Sequence, residues 1–214
     1  NTNQLWRRLQ FLKESATYIL NSFKIQGNYI IPFILGRHQT VLFGLVVWIS
    51  ILTAGFREET ESLIYDYYGD SVSIIFKNIP IPKDIKSIAE KNAHLRFTRN
   101  QIYIWEILNG DSLMGLVLLD NVKGKLQPIT YAVFFDSEGK VQKSHIIKYR
   151  EPIGGEVSNR HWLKQFIGKS SSSGYKIGSD VDGISGATIS VNAVTRGIHR
   201  STFVVQYLLQ KIDE

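Results

Sequence analysis

The sequence predicts an α+β fold: an antiparallel sheet flanked by helices, preceded by a single transmembrane helix and an N-terminal amphipathic helix. Three observations carry that expectation. Short apolar runs separated by turn residues follow one another between Ile102 and Tyr149. A helical stripe closes the chain, and an uncharged run of about 17 residues, Thr40 to Phe56, stands before the domain.

Ahead of that run, Leu5, Leu9, Leu12, Ala16, Ile19 and Phe23 recur at helical spacing, with Trp6, Arg7 and Arg8 at the start of the stripe. An amphipathic helix on the cytoplasmic membrane face fits this pattern. Docking against a partner subunit fits it equally. Gly27, Pro32 and Gly36 then interrupt the chain.

At about 1.5 Å per residue, Thr40–Phe56 covers roughly 26 Å, a little less than a hydrocarbon core of about 30 Å. Arg37 and His38 can snorkel at one end and Arg57 at the other. A buried core helix or a signal peptide would also be apolar, but the flanks favour an anchor. Cations dominate before it, whereas Glu58, Glu59, Glu61 and Asp66 follow it. The positive-inside rule then keeps the N-terminus in the cytoplasm and exports the rest. The expected organisation is a cytoplasmic tail over 1–39, an anchor over 40–56 and an exported domain over 57–214, in the inner membrane.

In the exported part, residues 57–79 are mixed and give no clear element. Pro80 and Pro82 punctuate, and Lys83–Ala93 reads as a short helix. Ile102–Leu108 alternates and ends at Asn109-Gly110-Asp111; Leu113–Leu119 and Ile129–Phe135 are buried apolar runs. The second run closes at Asp136-Ser137-Glu138-Gly139, and Val141–Tyr149 completes a meander. The tyrosines, Trp105 and Phe134 read as sheet core. Glu151–Gly155 is a Pro/Gly loop, His161–Ile167 a short helix around Trp162 and Phe166, and Ser170–Gly174 a polar loop. Val191, Val194, Ile198, Val205, Leu208 and Ile212 mark the closing helix.

Composition narrows the chemistry. The chain has 214 residues and no cysteine, which excludes disulfides, thiolate-held iron–sulfur clusters, cysteine zinc sites and c-type haem. A redox role would need an organic cofactor or a histidine-bound metal. Of the net charge of +6, most sits in residues 1–39, where Arg7, Arg8, Lys13, Lys24 and Arg37 face Glu14 alone. The domain therefore has no basic stripe of the kind that binds nucleic acid. His38, His94, His145, His161 and His199 lack metal-ligand spacing, and no catalytic triad or paired carboxylates stand out.

One segment carries chemistry. Ser185-Gly186-Ala187-Thr188 is a small-residue loop running into a helix, where Gly186 lets another molecule approach the backbone. The helix start offers unpaired N–H groups and a positive dipole end, both suited to phosphate. The same residues also suit an N-cap, the simpler reading of a Ser or Thr there.

Asp182 to Thr188 resembles the Asp-x-x-Ser/Thr-Gly-Ala-Thr pattern of the FMN-binding domain family. That family includes the small flavin-bearing subunits of the sodium-pumping NADH:quinone reductase and of the Rnf complex. The resemblance extends over roughly residues 110–205: Gly124, Gln127, Pro128 and Ile129 at a turn, the Glu151–Gly155 loop, Trp162 and Phe166, then the motif and closing helix. It implies that a flavin transferase links FMN through its phosphate to the motif's last threonine, here Thr188. Asp182, Ser185, Gly186, Ala187, Ile189 and Ser190 would surround the attachment, with Glu151, Gly154, Gly155 and Trp162 near the ribityl chain or ring. Two departures stand out: many members have Glu-Thr-Pro-Gly where this chain has Glu-Pro-Ile-Gly-Gly, and Thr in place of Ser190.

The implied function is an electron-transfer subunit that relays electrons within a membrane redox complex, with donor and acceptor on other subunits. A stand-alone exported flavin reductase and a non-redox adaptor are the alternatives. The first would need a substrate pocket the sequence does not identify; intact Thr188 argues against the second.

Overall fold

The computed structural model describes residues 55–212. The expected tail over 1–39, and the expected anchor over 40–56 apart from its last two residues, lie outside the described residues. Among the described residues no helix is long and apolar enough to cross a membrane.

A helix, α1, occupies residues 55–68. It is followed by β1 (Ser73–Pro80), α2 (Lys83–Ala93), β2 (Gln101–Asn109), β3 (Ser112–Lys123), β4 (Pro128–Asp136) and β5 (Val141–Lys148). A 3₁₀ turn (Gly155–Ser158), the short α3 (Arg160–Leu163), a second 3₁₀ turn (Lys164–Phe166) and the long α4 (Thr188–Ile212) complete the fold. The five strands pair in sequence order, all antiparallel.

The two-residue side-chain period of a strand sorts the core into two clusters. Ile104 of β2, Leu116 and Leu118 of β3, and Tyr131, Val133 and Phe135 of β4 point to one face, where they meet α2 and α4. Trp105 and Ile107, Val117 and Leu119, and Ala132 and Phe134 point to the other, beneath Ile64 of α1. A helix layer covers each face, so every residue of Leu116–Leu119 and of Ile129–Phe135 is buried. The apolar runs of β3 and β4 follow from that double cover.

Two elements stand in the stretch expected only to be mixed. Helix α1 buries Thr60 and Ile64 completely, and Thr60 Oγ1 donates to the Phe56 carbonyl at 2.7 Å. Its Glu61 accepts the Trp105 indole N–H at 3.0 Å, which satisfies the one polar atom of a fully buried ring. Among the described residues strand β1 pairs only with β2, and its Ile74 and Phe76 pack on the α1 side.

Helix α4 approaches the sheet closely because Gly197 has no side chain. A Cβ there would lie 2.5 Å from Val122 Cγ1 and 3.0 Å from the Tyr131 hydroxyl. Beside it, Arg200 is fully buried. Its Nη2 donates to Asp120 Oδ2 at 2.6 Å, its Nη1 to the Arg96 carbonyl, and its guanidinium lies 4.0 Å over the Phe97 ring. Tyr131 and Ser201 share a buried hydroxyl contact at 3.0 Å. Of the expected apolar stripe, Val191, Val194, Ile198 and Val205 are buried, Leu208 is half-buried and Ile212, the last described residue, is 46% exposed.

Candidate cofactor site

Three segments far apart in sequence are linked in a series that ends at the first turn of α4. The first is the β3–β4 turn around Gly124–Gln127. The second is the loop Glu151–Gly155. The third is the motif itself.

Glu151 joins the first two. Its Oε1 accepts the backbone N–H groups of Leu126 at 2.6 Å and Gln127 at 2.9 Å. Gly124 leaves the space this carboxylate occupies, since any Cβ there would collide with it. The N–H group of Gln127, more than that of Leu126, holds the Glu151 carboxyl below the usual carboxylate range.

Tyr149, at the end of β5, joins the loop to the helix. Its hydroxyl donates to the Ile153 carbonyl at 2.5 Å and lies 2.8 Å from the Ser190 hydroxyl. Gly154 makes this contact possible. It sits at φ +91°, where L residues are strained, and a Cβ would lie 2.7 Å from the Tyr149 hydroxyl and 2.9 Å from Ser190 Oγ. Gly155 follows against the flank of the Tyr149 ring.

Trp162 and Gln165 hold the motif from below. The Trp162 indole N–H donates to the Asp182 carbonyl at 2.8 Å, and Gln165 Oε1 accepts the Asp182 N–H at 2.7 Å. Both backbone groups of Asp182 are thus fixed by residues three apart on one helical stretch, while its side chain is exposed. The Trp162 ring is buried, edge-on to Phe166 at 5.3 Å between centroids.

The motif then turns. Ala187 N–H donates to the Ile184 carbonyl at 3.1 Å, with Gly186 at φ +81° inside the turn. Ala187 is buried, and its carbonyl accepts the first helical bond, from Val191, at 2.9 Å. Ala187 therefore occupies the N-cap position, so neither Ser185 nor Thr188 is the capping residue. Among the described residues no side chain accepts the N–H of Thr188, Ile189 or Ser190. Donors of this kind at a helix start are left for water or a ligand.

Ser185, Gly186, Thr188 and Ile189 are exposed, while Ser190 is buried. The two candidate hydroxyls thus differ. Ser190 is held by Tyr149, whereas the Thr188 hydroxyl forms no hydrogen bond with the described residues and only the Thr188 carbonyl is engaged, by Asn192 Nδ2 at 2.8 Å. The first turn of this 25-residue helix carries no acidic side chain, so its positive end is uncompensated from within the helix. A phosphate at Thr188 would meet that end and the free N–H groups together.

The structure thus gathers Asp182, Ser185, Gly186, Ala187, Thr188, Ile189, Ser190, Gly154, Gly155 and Trp162 around one helix start, with Glu151 one step removed. Tyr149 and Gln165 belong to the same arrangement and were not singled out from sequence. The available signals were a tyrosine two residues before the Glu151 loop and a glutamine one turn after Trp162.

No curated protein matches the chain. Among solved structures, the crystal structure of NqrC from Shewanella oneidensis is similar, with a TM-score of 0.48 and 18% identity over 69% of this chain and 87% of that chain. Residues 124–202 match the FMN-binding domain family. That stretch begins at the glycine behind Glu151 and takes in the loop, Trp162, the motif and the first half of α4. Over residues 124–202, then, the chain is similar to FMN-binding domains.

Proposed function

We propose that this chain is an electron-transfer subunit of a membrane redox complex, carrying FMN as a phosphoester on Thr188. The observation that carries the attachment is the contrast between the two motif hydroxyls. Thr188 is exposed, unpartnered among the described residues and set at the positive end of α4. Ser190 is buried and bound to Tyr149, so a flavin transferase would have to break the site to reach it.

FMN supplies the redox chemistry, accepting and releasing electrons at its ring. The residues of the chain place it. The N–H groups of the first turn hold the phosphate, and Gly186 keeps the backbone clear of it. Trp162 and Gln165 fix the loop that leads in, and Tyr149 holds the Gly154 loop alongside. A covalent link suits an exported domain, where a lost cofactor is not replaced. The charge asymmetry about Thr40–Phe56 supports a single anchor with the N-terminus in the cytoplasm and this domain outside. Donor and acceptor then reside on neighbouring subunits.

The test is mass spectrometry of the peptide containing Thr188 after co-expression with a flavin transferase. A flavin phosphate adduct that disappears in Thr188→Ala and persists in Ser190→Ala is expected. An unmodified peptide in the wild-type chain refutes the attachment, and a lone chain that turns over substrate without partners refutes the relay.

A further inference from the structure

A second candidate site lies further along α4. A cleft of about 430 Å³ opens between the end of α2, the segment Tyr175–Ile177 and the α4 face that carries Asn192, Thr195, Arg196 and His199. From α2 it takes Asn92 and His94.

Its charge is one-sided. Lys176, Arg196, His94 and His199 line it, and no carboxylate does. Neither the Lys176 nor the Arg196 side chain forms an ion pair or hydrogen bond with the described residues, and both are exposed. Asp180, close by in sequence, turns its Oδ2 to the backbone N–H of Lys176 at 2.8 Å. Cations brought together without a counter-charge repel each other unless an anion sits among them.

A buried polar group without a partner points to a ligand. Thr195, a wall residue, is fully buried with its hydroxyl unpartnered, which is costly for a buried polar group. His94 ends α2 as its C-cap, in the left-handed conformation at φ +50° that commonly terminates a helix, and lines the cleft from there. Burial, and then the neighbouring His94, push the His199 imidazole below its usual range, against a contact to the Ser171 backbone.

The aromatic wall narrows the ligand class. The Tyr175 ring stacks with His199 at 4.1 Å and with Phe166 at 6.4 Å between centroids, so part of its aromatic surface is already taken up within the protein. We infer that this cleft binds a compact oxyanion of the phosphate class, held by Lys176, Arg196 and the two imidazoles, at a site separate from Thr188.

The test uses the full flavin-loaded chain in phosphatidylcholine vesicles, titrated calorimetrically with pyrophosphate and, separately, with short-chain phosphatidylglycerol. Saturable one-to-one binding is expected, weakened roughly tenfold by either Arg196→Gln or Lys176→Gln and unchanged in Lys140→Gln, a remote exposed lysine. Both substitutions in the cleft are of exposed residues, so the fold is retained. Pyrophosphate binding identifies a soluble phosphate ligand; binding of the lipid alone identifies a headgroup. Absence of binding by both, or equal weakening in Lys140→Gln, overturns the inference. Flavin content, measured on the same samples, keeps this outcome separate from that of the attachment at Thr188.

Discussion

Removing one oxygen atom, in Tyr149→Phe, tests how the candidate cofactor site is held. That hydroxyl reaches the Ile153 carbonyl at 2.5 Å and the Ser190 hydroxyl at 2.8 Å, and so bridges the Gly154 loop and the first turn of α4. The Ile153 side is exposed and can rehydrate, so its loss costs about 0.5–1 kcal/mol. Ser190 is 5% exposed, and leaving its hydroxyl without Tyr149 costs about 1–3 kcal/mol. A total of about 1.5–4 kcal/mol raises the equilibrium constant for loop opening by roughly 10- to 900-fold. Native-state hydrogen exchange at Val157 and Asn159, whose N–H groups close the 3₁₀ turn after the loop, reads this directly. Faster exchange there by that factor, with α4 protection beyond its first turn unchanged, is expected. An acceleration below about threefold would show that the loop is held by packing and that the hydroxyl bridge is incidental.

Asp120→Asn strands the Arg200 guanidinium in the core and is expected to cost about 3–5 kcal/mol in urea unfolding; the double variant Asp120→Leu, Arg200→Met should cost less than the single change. Gly197→Ala should lower the thermal midpoint, since overpacking against Val122 of about 1–3 kcal/mol outweighs the roughly 1 kcal/mol gain in helix propensity. Glu151 has a depressed carboxyl pKa, so its contribution is present above the ordinary carboxylate range and lost as pH falls through its own, lower value. Amide chemical shifts of Leu126 and Gln127 should follow that titration, and Glu151→Gln should abolish it.

Local pattern revealed the elements whose burial repeats along the chain. Strands β2 to β5 and helix α2 lie within a few residues of their expected bounds, because turn residues separate runs that are apolar on one or both faces. Helix α1 and strand β1 escaped notice for physical reasons. The α1 core face includes Thr60, a polar residue whose hydroxyl is satisfied within the helix, and β1, paired only with β2 among the described residues, has little of its surface fully buried. The expected helix His161–Ile167 is broken into α3 and a 3₁₀ turn, with Ile167 exposed beyond them. At the site, the small residues, the turn and the helix start could be read locally, but alone they suited an N-cap as well, and the cofactor reading came from the resemblance to the FMN-binding domain family. The motif's supports could not be read. Tyr149 and Ser190 are 41 residues apart, and Arg200 and Asp120 are 80 apart, so nothing in either neighbourhood signals the pairing.

Helix α4 behaves as a mast. At about 1.5 Å per residue its 25 residues run roughly 37 Å, with the middle stepped into the core by Gly197, Arg200 and Ser201 and the tip at Thr188. On the proposed reading, a cofactor fastened at Thr188 would inherit the positional steadiness of the sheet. Its reach toward a redox partner would then be set by the rotatable bonds of the tether, with the protein contributing a fixed pivot.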